Sequence, residues 1–308
     1  MKFSIIIPLY NGSRFIEATL DSVLAQTYKD YEIILVNDGS PDNVEEIVQR
    51  YISKHSGTCF IYRKQENKGL GAARNAGIRE ATGDIIAILD QDDIWYQDKL
   101  AKVAEIYKSN PEINVICHSQ NVRSNGNITR VFRPEPIKGD VYRQMLFDNK
   151  FADNIFSTSA VTFSRVVEGA TEFFSEDRTN MHFVEDYDLL LRMAKAGRKF
   201  YSSNLVLGEC SKHDSNFSKE LDTMLKGELC VLKEHYKRYA DLNKIHLMAW
   251  YLMRRRRALV YFRASKEYFR SKRAGNGIKY LMLAFCADPI FLSYYFQKAW
   301  YAVRNNKE

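Results

Sequence analysis

The sequence has few cysteines, and their spacing suits neither a zinc site nor a disulfide framework. Five cysteines are scattered over 308 residues, and no two of them form a Cys-x-x-Cys pair. Structural zinc sites and disulfide-rich scaffolds are therefore disfavoured, and the odd number favours a reducing compartment.

Long hydrophobic runs are also missing. No stretch of about 18 uninterrupted apolar residues is present, so no transmembrane helix is expected. Residues 3–9, between Met1-Lys2 and a polar turn, are too few for the core of a signal peptide. We therefore expect a cytoplasmic protein.

A third absence concerns dinucleotide cofactors. The first predicted strand, residues 3–8, lacks the glycine-rich exit loop that nicotinamide and flavin enzymes have there. Glycines occur later, at 69–77, where Gly71 and Arg74 lie together. Glycines allow the backbone to approach a diphosphate and Arg74 adds a cation, although plain helix–strand packing is the alternative interpretation.

What the sequence does contain is a cluster of carboxylates after a buried strand. The apolar run 84–89 is followed by Asp90-Gln91-Asp92-Asp93. Three like charges at a strand end are unfavourable unless a cation or hydrogen-bond donors compensate them. In open α/β sheets, ligands bind at this end of the strands. Helix capping explains one carboxylate but hardly three, so the pattern indicates a site for a divalent cation and phosphate.

Charge and periodicity divide the chain in two. The net charge is +7, yet residues 1–210 carry 25 Lys+Arg and 29 Asp+Glu, whereas residues 211–308 carry 20 and 9. Strand and helix patterns alternate in the first part, which predicts βαβ units and a parallel sheet, and the last part is almost wholly helical. We predict an α/β domain over 1–215 and a helical domain over 216–308. Residues 148–182 have little periodicity, and mobile loops are expected there.

Three further sites carry candidate functional side chains. Asp38 ends the second predicted strand, where it could accept a hydrogen bond from a base or ribose or simply form a turn. Glu185 and Asp186 open a predicted helix, where the macrodipole favours acids, but a general base is the other interpretation. His213 follows the last predicted strand and, taken alone, is more typical of a solvated side chain.

Together these residues occur in an order that is specific to one family. Over roughly residues 2–215, the chain resembles the family 2 glycosyltransferases with a GT-A fold, bacterial members especially. The motifs that carry the resemblance are IIIPLYN at 5–11, VNDGS at 36–40, NKGLGAARNAG at 67–77, LDQDD at 89–93, ED at 185–186, and His213.

The resemblance implies a GT-A fold, in which a Rossmann-like, mostly parallel sheet carries helices on both faces, followed here by the helical domain. In the matching positions, Pro8, Tyr10 and Asp38 would line a nucleoside pocket. Arg74 would lie beside the diphosphate, and Asp90 near the ribose.

The remaining matches concern the metal and the chemistry. Asp92 and His213 would hold Mn²⁺ or Mg²⁺, with Asp93 supporting them. Asp186 matches the catalytic base, and Glu185 precedes it. The resemblance thus implies inverting transfer from a UDP-linked sugar to a saccharide or lipid-linked saccharide, in envelope or capsular polysaccharide assembly. The signature of processive members, Q-x-x-R-W, is missing after Asp186, which favours the transfer of a single sugar.

Two rival functions remain open from the sequence. One is a nucleotidyltransferase that uses the same carboxylate–metal site, although it would leave Asp186 without a role. The other is a membrane or nucleic-acid adaptor whose α/β domain is inactive, which three clustered aspartates argue against.

The basic, aromatic C-terminal part has three interpretations. Four consecutive arginines, at 254–257, cover more than one face of a helix, and residues 278–296 contain an apolar surface interrupted by Asp288-Pro289. Packing within the protein or a dimer is one interpretation, and nucleic-acid binding is the least favoured. We expect attachment through residues 244–304 to an anionic membrane surface, on the inner face of the cytoplasmic membrane.

Overall fold

The structure is a computed structural model that divides into two compact units, one built around a β-sheet and one helical. The predicted boundary near residue 215 and the predicted last helix beyond residue 290 lie outside the described residues. The residues that the structure describes are 1–137, 139–147, 157–165, 173–177, 184–213, 221–243 and 246–290.

The strands and helices follow the predicted alternation in the first part of the chain. The strands are β1 (Phe3–Leu9), β2 (Tyr31–Asp38), β3 (Phe60–Gln65), β4 (Ile85–Ile88), β5 (Ile94–Trp95), β6 (Val115–Ser124), β7 (Asn127–Phe132), β8 (Val161–Ser164) and β9 (Phe200–Lys212). The helices are α1 (Ile16–Leu24), α2 (Val44–Lys54), α3 (Leu70–Glu80), α4 (Lys99–Ser109), α5 (Val141–Phe147), α6 (Glu185–Lys195), α7 (Leu221–Asn243), α8 (His246–Arg270) and α9 (Ala274–Ala287).

The described strands form one mixed sheet in the order β3-β2-β1-β4-β8-β6-β9-β5, with β7 paired to β6. The pairs β3-β2, β2-β1 and β1-β4 are parallel, as the βαβ pattern predicts. Strand β8 is antiparallel to both of its neighbours, β4 and β6. The carboxyl ends of β1, β2 and β4 therefore meet at one edge of the sheet.

The expectation of loops over 148–182 is wrong for the described residues 157–165. Those residues form a 3₁₀ turn, Thr158–Ala160, and then strand β8. Val161 and Phe163 are buried, and β8 joins the two halves of the sheet. The strand was missed because it has only four residues, too few to show a clear period.

Alternating apolar side chains of the strands build the core of the sheet unit. Strand β2 is buried along its whole length, as expected for a strand covered on both faces. One core cluster is formed between the sheet and helices α1, α2 and α4, around Phe3, Ile5, Leu20, Val48 and Val103. The strands are thus held rigidly, and their polar exit loops extend from a fixed frame.

The helical unit contains α7, α8 and α9, and its interior includes polar contacts. Asp222 on α7 accepts hydrogen bonds from the hydroxyls of Tyr268 (2.6 Å) and Tyr280 (2.5 Å). Arg256 is buried beside Glu228, which also pairs with Arg263, so the arginine run does not lie wholly in water. In the part of the chain that the structure describes, no helix has the length and apolar character needed to span a bilayer.

Candidate active site

The loop after β1 and the loop after β4 are tied together by one amide side chain. Gln91 accepts a hydrogen bond from the Tyr10 N–H (3.0 Å) and donates one to the Tyr10 carbonyl (2.7 Å). Gly12 leaves room for this pair, because a Cβ atom there would overlap the Gln91 amide and displace it. Pro8 is buried within β1 and Tyr10 is partly exposed, so the structure brings the two predicted nucleoside-pocket residues to the edge that carries the acidic cluster.

Asp38, at the end of β2, is buried and its carboxylate accepts three hydrogen bonds. The donors are the Gln65 side chain (2.7 Å) and the backbone N–H groups of Lys68 and Gly69 (2.8 Å each). Asp38 therefore fixes the glycine-containing loop that leads into α3. It lies at the predicted edge of the sheet, and contact with a base stays a prediction.

Gly71 lies in the first turn of α3, packed against the chain at Ser175. A Cβ atom at this position would overlap the Ser175 carbonyl oxygen. The close approach here is therefore to the protein's own backbone, and support of a ligand by Gly71 stays a prediction.

Arg74, also on α3, is buried and connects two of the predicted site carboxylates. Its guanidinium donates to Asp90 (2.8 Å) and to Glu185 (2.9 Å). Burial alone lowers the pKa of Arg74, but Asp90, Glu185 and Asp186 together raise it. The side chain is 2% exposed, so its cation is directed at the protein's own acids, and contact with a diphosphate stays a prediction.

Asp186 lies in the first turn of α6, where its neighbours shift its pKa in opposite directions. Its carboxylate accepts a hydrogen bond from the Thr158 hydroxyl (3.2 Å) and another from the N–H of Tyr187 (2.7 Å). Burial raises the pKa of Asp186 to about 7, and Glu185 adds to this rise while Arg74 opposes it. A carboxyl group with this pKa can take up or release a proton near neutral pH, as a general base must.

Asp92 and His213 meet in the structure although 121 positions separate them in the chain. His213 Nε2 lies 2.8 Å from a carboxylate oxygen of Asp92, and the imidazole stacks on Phe15 with ring centroids 4.2 Å apart. Burial and the neighbouring Asp90 raise the pKa of Asp92, which His213 opposes. The predicted metal-binding pair is thus adjacent, and the negative charge of Asp90 lies close to it.

These two residues suit a divalent cation bound together with a ligand. Among the described residues, no three His, Cys, Asp or Glu side chains are grouped as metal ligands. Mg²⁺ bound with a nucleotide is typically held by one or two carboxylates plus phosphate oxygens, so a small protein contribution is sufficient. The crowded carboxylates fit a cation, which would relieve their mutual repulsion.

Asp93 is buried beside that pair. Its carboxylate accepts a hydrogen bond from the Ser211 N–H (2.9 Å), near the end of β9 and two residues before His213. Burial, Asp92 and Asp90 raise the pKa of Asp93 well above its usual value. Asp93 thereby joins the loop after β4 to the strand that carries His213, consistent with the predicted supporting role.

Comparison with known sequences gives the family. Residues 4–167, more than half of the chain, match the family described as Glycosyl transferase family 2. The chain belongs to this glycosyltransferase family.

One curated relative of this family 2 glycosyltransferase is the amylovoran biosynthesis glycosyltransferase AmsB of Erwinia amylovora. The two are 34% identical over 208 residues, which cover 65% of this chain and 66% of AmsB. The chain thus spans just under two thirds of AmsB, and four other curated bacterial relatives match over 22% to 38% of their own lengths.

Solved structures confirm the predicted GT-A fold of the family member. TarS 1-349 of S. aureus, crystallised with UDP-GlcNAc, is similar with a TM-score of 0.57 and 16% identity, over 92% of this chain and 91% of TarS. The mannosyltransferase PcManGT of Pyrobaculum calidifontis, with GDP-Man and Mn²⁺, is similar with a TM-score of 0.59 and 17% identity, over 98% of this chain and 80% of that one. At these identities the likeness concerns the fold.

Several side chains of this glycosyltransferase's site were not predicted from the sequence. The sequence pattern assigned Gln91 no role, although its amide can both donate and accept a hydrogen bond, which the neighbouring carboxylates cannot do when ionised. Thr158 and Ser159 lie in a stretch without periodicity. Phe15 carries no motif, and its stacking on His213 was not foreseeable from spacing.

Proposed function

We propose that the protein transfers one sugar from a nucleotide-diphosphate donor, UDP-linked, to a hydroxyl of a saccharide or lipid-linked saccharide acceptor with inversion at the anomeric carbon. Residues 1–215 would be the catalytic domain and 216–308 a helical domain. The observation that carries the proposal is the placement of Asp186, a carboxylate with a pKa near 7, in one hydrogen-bonded network with Arg74 and Asp90.

Asp186 acts as the base in this proposal. It accepts the proton of the acceptor hydroxyl while that oxygen attacks the anomeric carbon and the bond to the nucleoside diphosphate breaks. Glu185 and Asp90 stay paired with Arg74, which limits the repulsion that Asp186 meets when it is charged. Base catalysis of this kind typically contributes about 10²- to 10⁴-fold.

The donor side is formed by the loops after β1, β2 and β4. Pro8, Tyr10 and Asp38 would line the nucleoside pocket, and Asp90 would bind the ribose. Asp92 and His213 would hold Mn²⁺ or Mg²⁺, which supplies positive charge beside the departing diphosphate. TarS and PcManGT, which bind UDP-GlcNAc and GDP-Man, support a nucleotide-sugar donor, and the AmsB relationship supports a polysaccharide pathway, such as capsule assembly.

The helical domain would attach to an anionic membrane surface. On α9, Ile278, Met282 and Phe285 are 52%, 65% and 55% exposed, and their spacing places them on one face. Near the end of α9, Arg254 donates to the Ala287 carbonyl (3.1 Å) and covers the exposed Trp250 ring (4.7 Å). An apolar stripe beside arginine and tryptophan is typical of helices that lie in a membrane interface, where the enzyme would meet a lipid-linked acceptor at the inner face.

A panel of UDP- and GDP-sugars tests the proposal. The protein is incubated with each donor and Mn²⁺, and release of the nucleoside diphosphate is measured with and without saccharide acceptors. We expect one UDP-sugar to be used, and Asp186→Asn to retain UDP binding but lose about 10²-fold or more of the turnover. Unchanged turnover in that variant would remove Asp186 from its role, and no turnover with any donor would overturn the proposal.

Asp92→Ala provides the matching test of the donor side. This variant should lose Mn²⁺-dependent UDP binding in calorimetry while the fold, followed by circular dichroism, persists. Normal Mn²⁺-dependent affinity would show that Asp92 does not hold the cation.

A further inference from the structure

The turn Thr158–Ala160 contacts two acidic parts of the site, the loop that carries Asp90 and the start of α6 that carries Asp186. It leads directly into β8, which pairs with β4 on one side and β6 on the other. Ser159 is fully buried and Thr158 is 7% exposed. Neither hydroxyl belongs to the motifs that carry the family resemblance.

Ser159 is bonded to the loop after β4 through its side chain, and to β5 and α4 through its backbone. Its hydroxyl accepts a hydrogen bond from the Asp90 N–H (3.0 Å) and opposes the rise in the pKa of the nearby Asp93 carboxyl group. Its carbonyl accepts from Trp95 Nε1 (2.9 Å) and from Lys99 Nζ (3.2 Å). Ser159 therefore contacts both the loop that carries the donor-side carboxylates and the two elements that follow this loop.

Thr158 makes the corresponding contacts on the other side. Its hydroxyl donates to Asp186 (3.2 Å) and accepts from the Arg74 guanidinium (3.3 Å). Arg74 in turn holds Asp90 and Glu185. Two adjacent residues thus reach the proposed base and the proposed donor loop separately.

We propose that Thr158 and Ser159 are positioning residues for sugar transfer, Ser159 by fixing the donor-side loop 90–93 and Thr158 by fixing the carboxylate of Asp186. The inference rests on the proposed function. Because the two residues are consecutive in a short buried turn, the base and the donor loop are held at a fixed separation. Such preorganisation is what alignment of acceptor and donor for direct displacement requires.

The Thr158 hydroxyl also influences the pH range in which Asp186 is charged and can act as a base. The charged groups around Asp186 are Glu185 on its own helix, Arg74 on α3, and Asp90 in the loop after β4. A hydroxyl that donates to a carboxylate favours the charged form. Its removal should therefore shift the acidic limb of the activity profile to higher pH.

The test compares Thr158→Val, Thr158→Ser and Ser159→Ala with the unsubstituted full-length protein. Hydrolysis of the donor selected by the panel is measured with Mn²⁺ between pH 5 and 9, and UDP affinity with Mn²⁺ is measured by calorimetry. We expect Thr158→Val to move the acidic limb of kcat/KM up by about 0.5–1 pH unit with UDP affinity unchanged. Thr158→Ser, which keeps the hydroxyl, should restore the original limb.

Ser159→Ala should change the UDP affinity but not the pH of the acidic limb, the reverse of Thr158→Val. We expect about tenfold weaker UDP binding, since the Asp90 N–H loses its partner in the donor-side loop, and an unmoved acidic limb. Thr162→Val is a matched control: Thr162 is buried on β8, where its hydroxyl lies by Tyr107. It should lower the melting temperature without changing the limb or the UDP affinity.

The outcomes separate the two proposals. Without donor turnover by the unsubstituted protein, both fail. A different result is that the unsubstituted protein is active while Thr158→Val keeps the acidic limb of kcat/KM at its original pH, as Thr158→Ser is expected to do. In that case only the positioning role is overturned. Parallel loss of affinity and rate in all variants, Thr162→Val included, would show a merely structural role. Should Ser159→Ala not fold, the Thr158 pair decides alone.

Discussion

At the scale of single residues, the site carboxylates differ because their neighbours differ. Asp38 accepts hydrogen bonds from three donors and has a structural task in the loop before α3. Asp186 shares its surroundings with Glu185 and has a pKa near 7. The residue types were readable in the sequence, but identical aspartates acquire different chemistry only from burial and hydrogen-bond partners.

The raised pKa of Asp186 predicts a pH-dependent cost to stability. Its folded-state pKa, about 7, lies above the ordinary value of 3.8. Stability is therefore lost as the pH rises from about 4 through 7, because the folded state must give up a proton that it holds more tightly than the unfolded chain does. Asp186→Asn, which is neutral throughout, should raise the melting temperature at pH 8 but hardly at pH 4.

Thermal unfolding followed by circular dichroism at both pH values checks this prediction. Asp241→Asn is the control, because Asp241 is exposed on α7 and should change the melting temperature little at either pH. A difference between Asp186→Asn and the unsubstituted protein that is the same at pH 4 and pH 8 would contradict the assigned pKa.

The Gln91 amide predicts a second effect at this scale. Gln91→Glu keeps the shape and an acceptor for the Tyr10 N–H but replaces the donor to the Tyr10 carbonyl by an oxygen. The Tyr10 carbonyl is partly buried and would lose its donor, so the loop after β1 should loosen and UDP affinity with Mn²⁺ should fall by up to about tenfold. Gln97→Glu adds the same charge at an exposed position, and calorimetry should find its affinity unchanged. Equal UDP affinities in both variants would show that the Gln91–Tyr10 hydrogen bonds do not support UDP binding.

At the scale of elements, helix α3 depends on small residues because it packs closely on the sheet. Gly77 on this helix faces Ile6 of β1, and a Cβ atom there would overlap the Ile6 side chain. The helix bears Arg74 at its buried face, so its distance from the sheet also sets the position of the guanidinium. Packing, rather than ligand contact, explains this glycine.

Gly77→Ala should therefore destabilise the protein although alanine is the better helix former. Overpacking costs about 1–3 kcal/mol, against a gain of about 1 kcal/mol in helix propensity. Urea unfolding should show a net loss of stability. Gly57→Ala is the control, since a Cβ atom at Gly57 meets open space and no loss is expected. A more stable Gly77→Ala protein would show that α3 can move away from β1.

The strands that the sequence pattern predicted are those with strong local signals. Residues Tyr31–Asp38 form a fully buried run, and this strand ends at Asp38 as the sequence predicts. Strand β8 was missed, and with it the turn that carries Thr158 and Ser159. A strand of four residues is specified by its two neighbours in the sheet, and these come from distant parts of the chain.

At the scale of the whole molecule, charge separates the acidic α/β part from the basic helical part. The asymmetry of residues 211–308, 20 Lys+Arg against 9 Asp+Glu, would direct the helical domain toward an anionic surface. Part of the basic run has another explanation, because Arg256 is buried beside Glu228. Among the described residues of the helical unit, the stripe of α9 stays exposed, as do Leu247, Trp250 and Tyr251 of α8.

Flotation with vesicles checks the attachment. The full chain should float with phosphatidylglycerol vesicles more than with phosphatidylcholine vesicles. Replacing Ile278, Met282 and Phe285 together by serine should reduce flotation several-fold, because three exposed apolar side chains no longer enter the interface. As control, Ile128 and Val131 on β7, which are 51% and 39% exposed, are replaced by serine. Equal flotation of all three proteins would end the attachment proposal.

The sequence by itself determined the family, the alternation of the first strands and helices, and the acidic motifs at their exits, because buried runs and polar turns are encoded locally. Only the tertiary structure brought His213 to Asp92, closed Arg74 onto Asp90 and Glu185, and set Thr158 against Asp186. These contacts join residues up to 121 positions apart, and their geometry follows from how strands and helices pack. Local sequence patterns carry no information about that packing, whereas the pKa values and hydrogen bonds of the site depend on it.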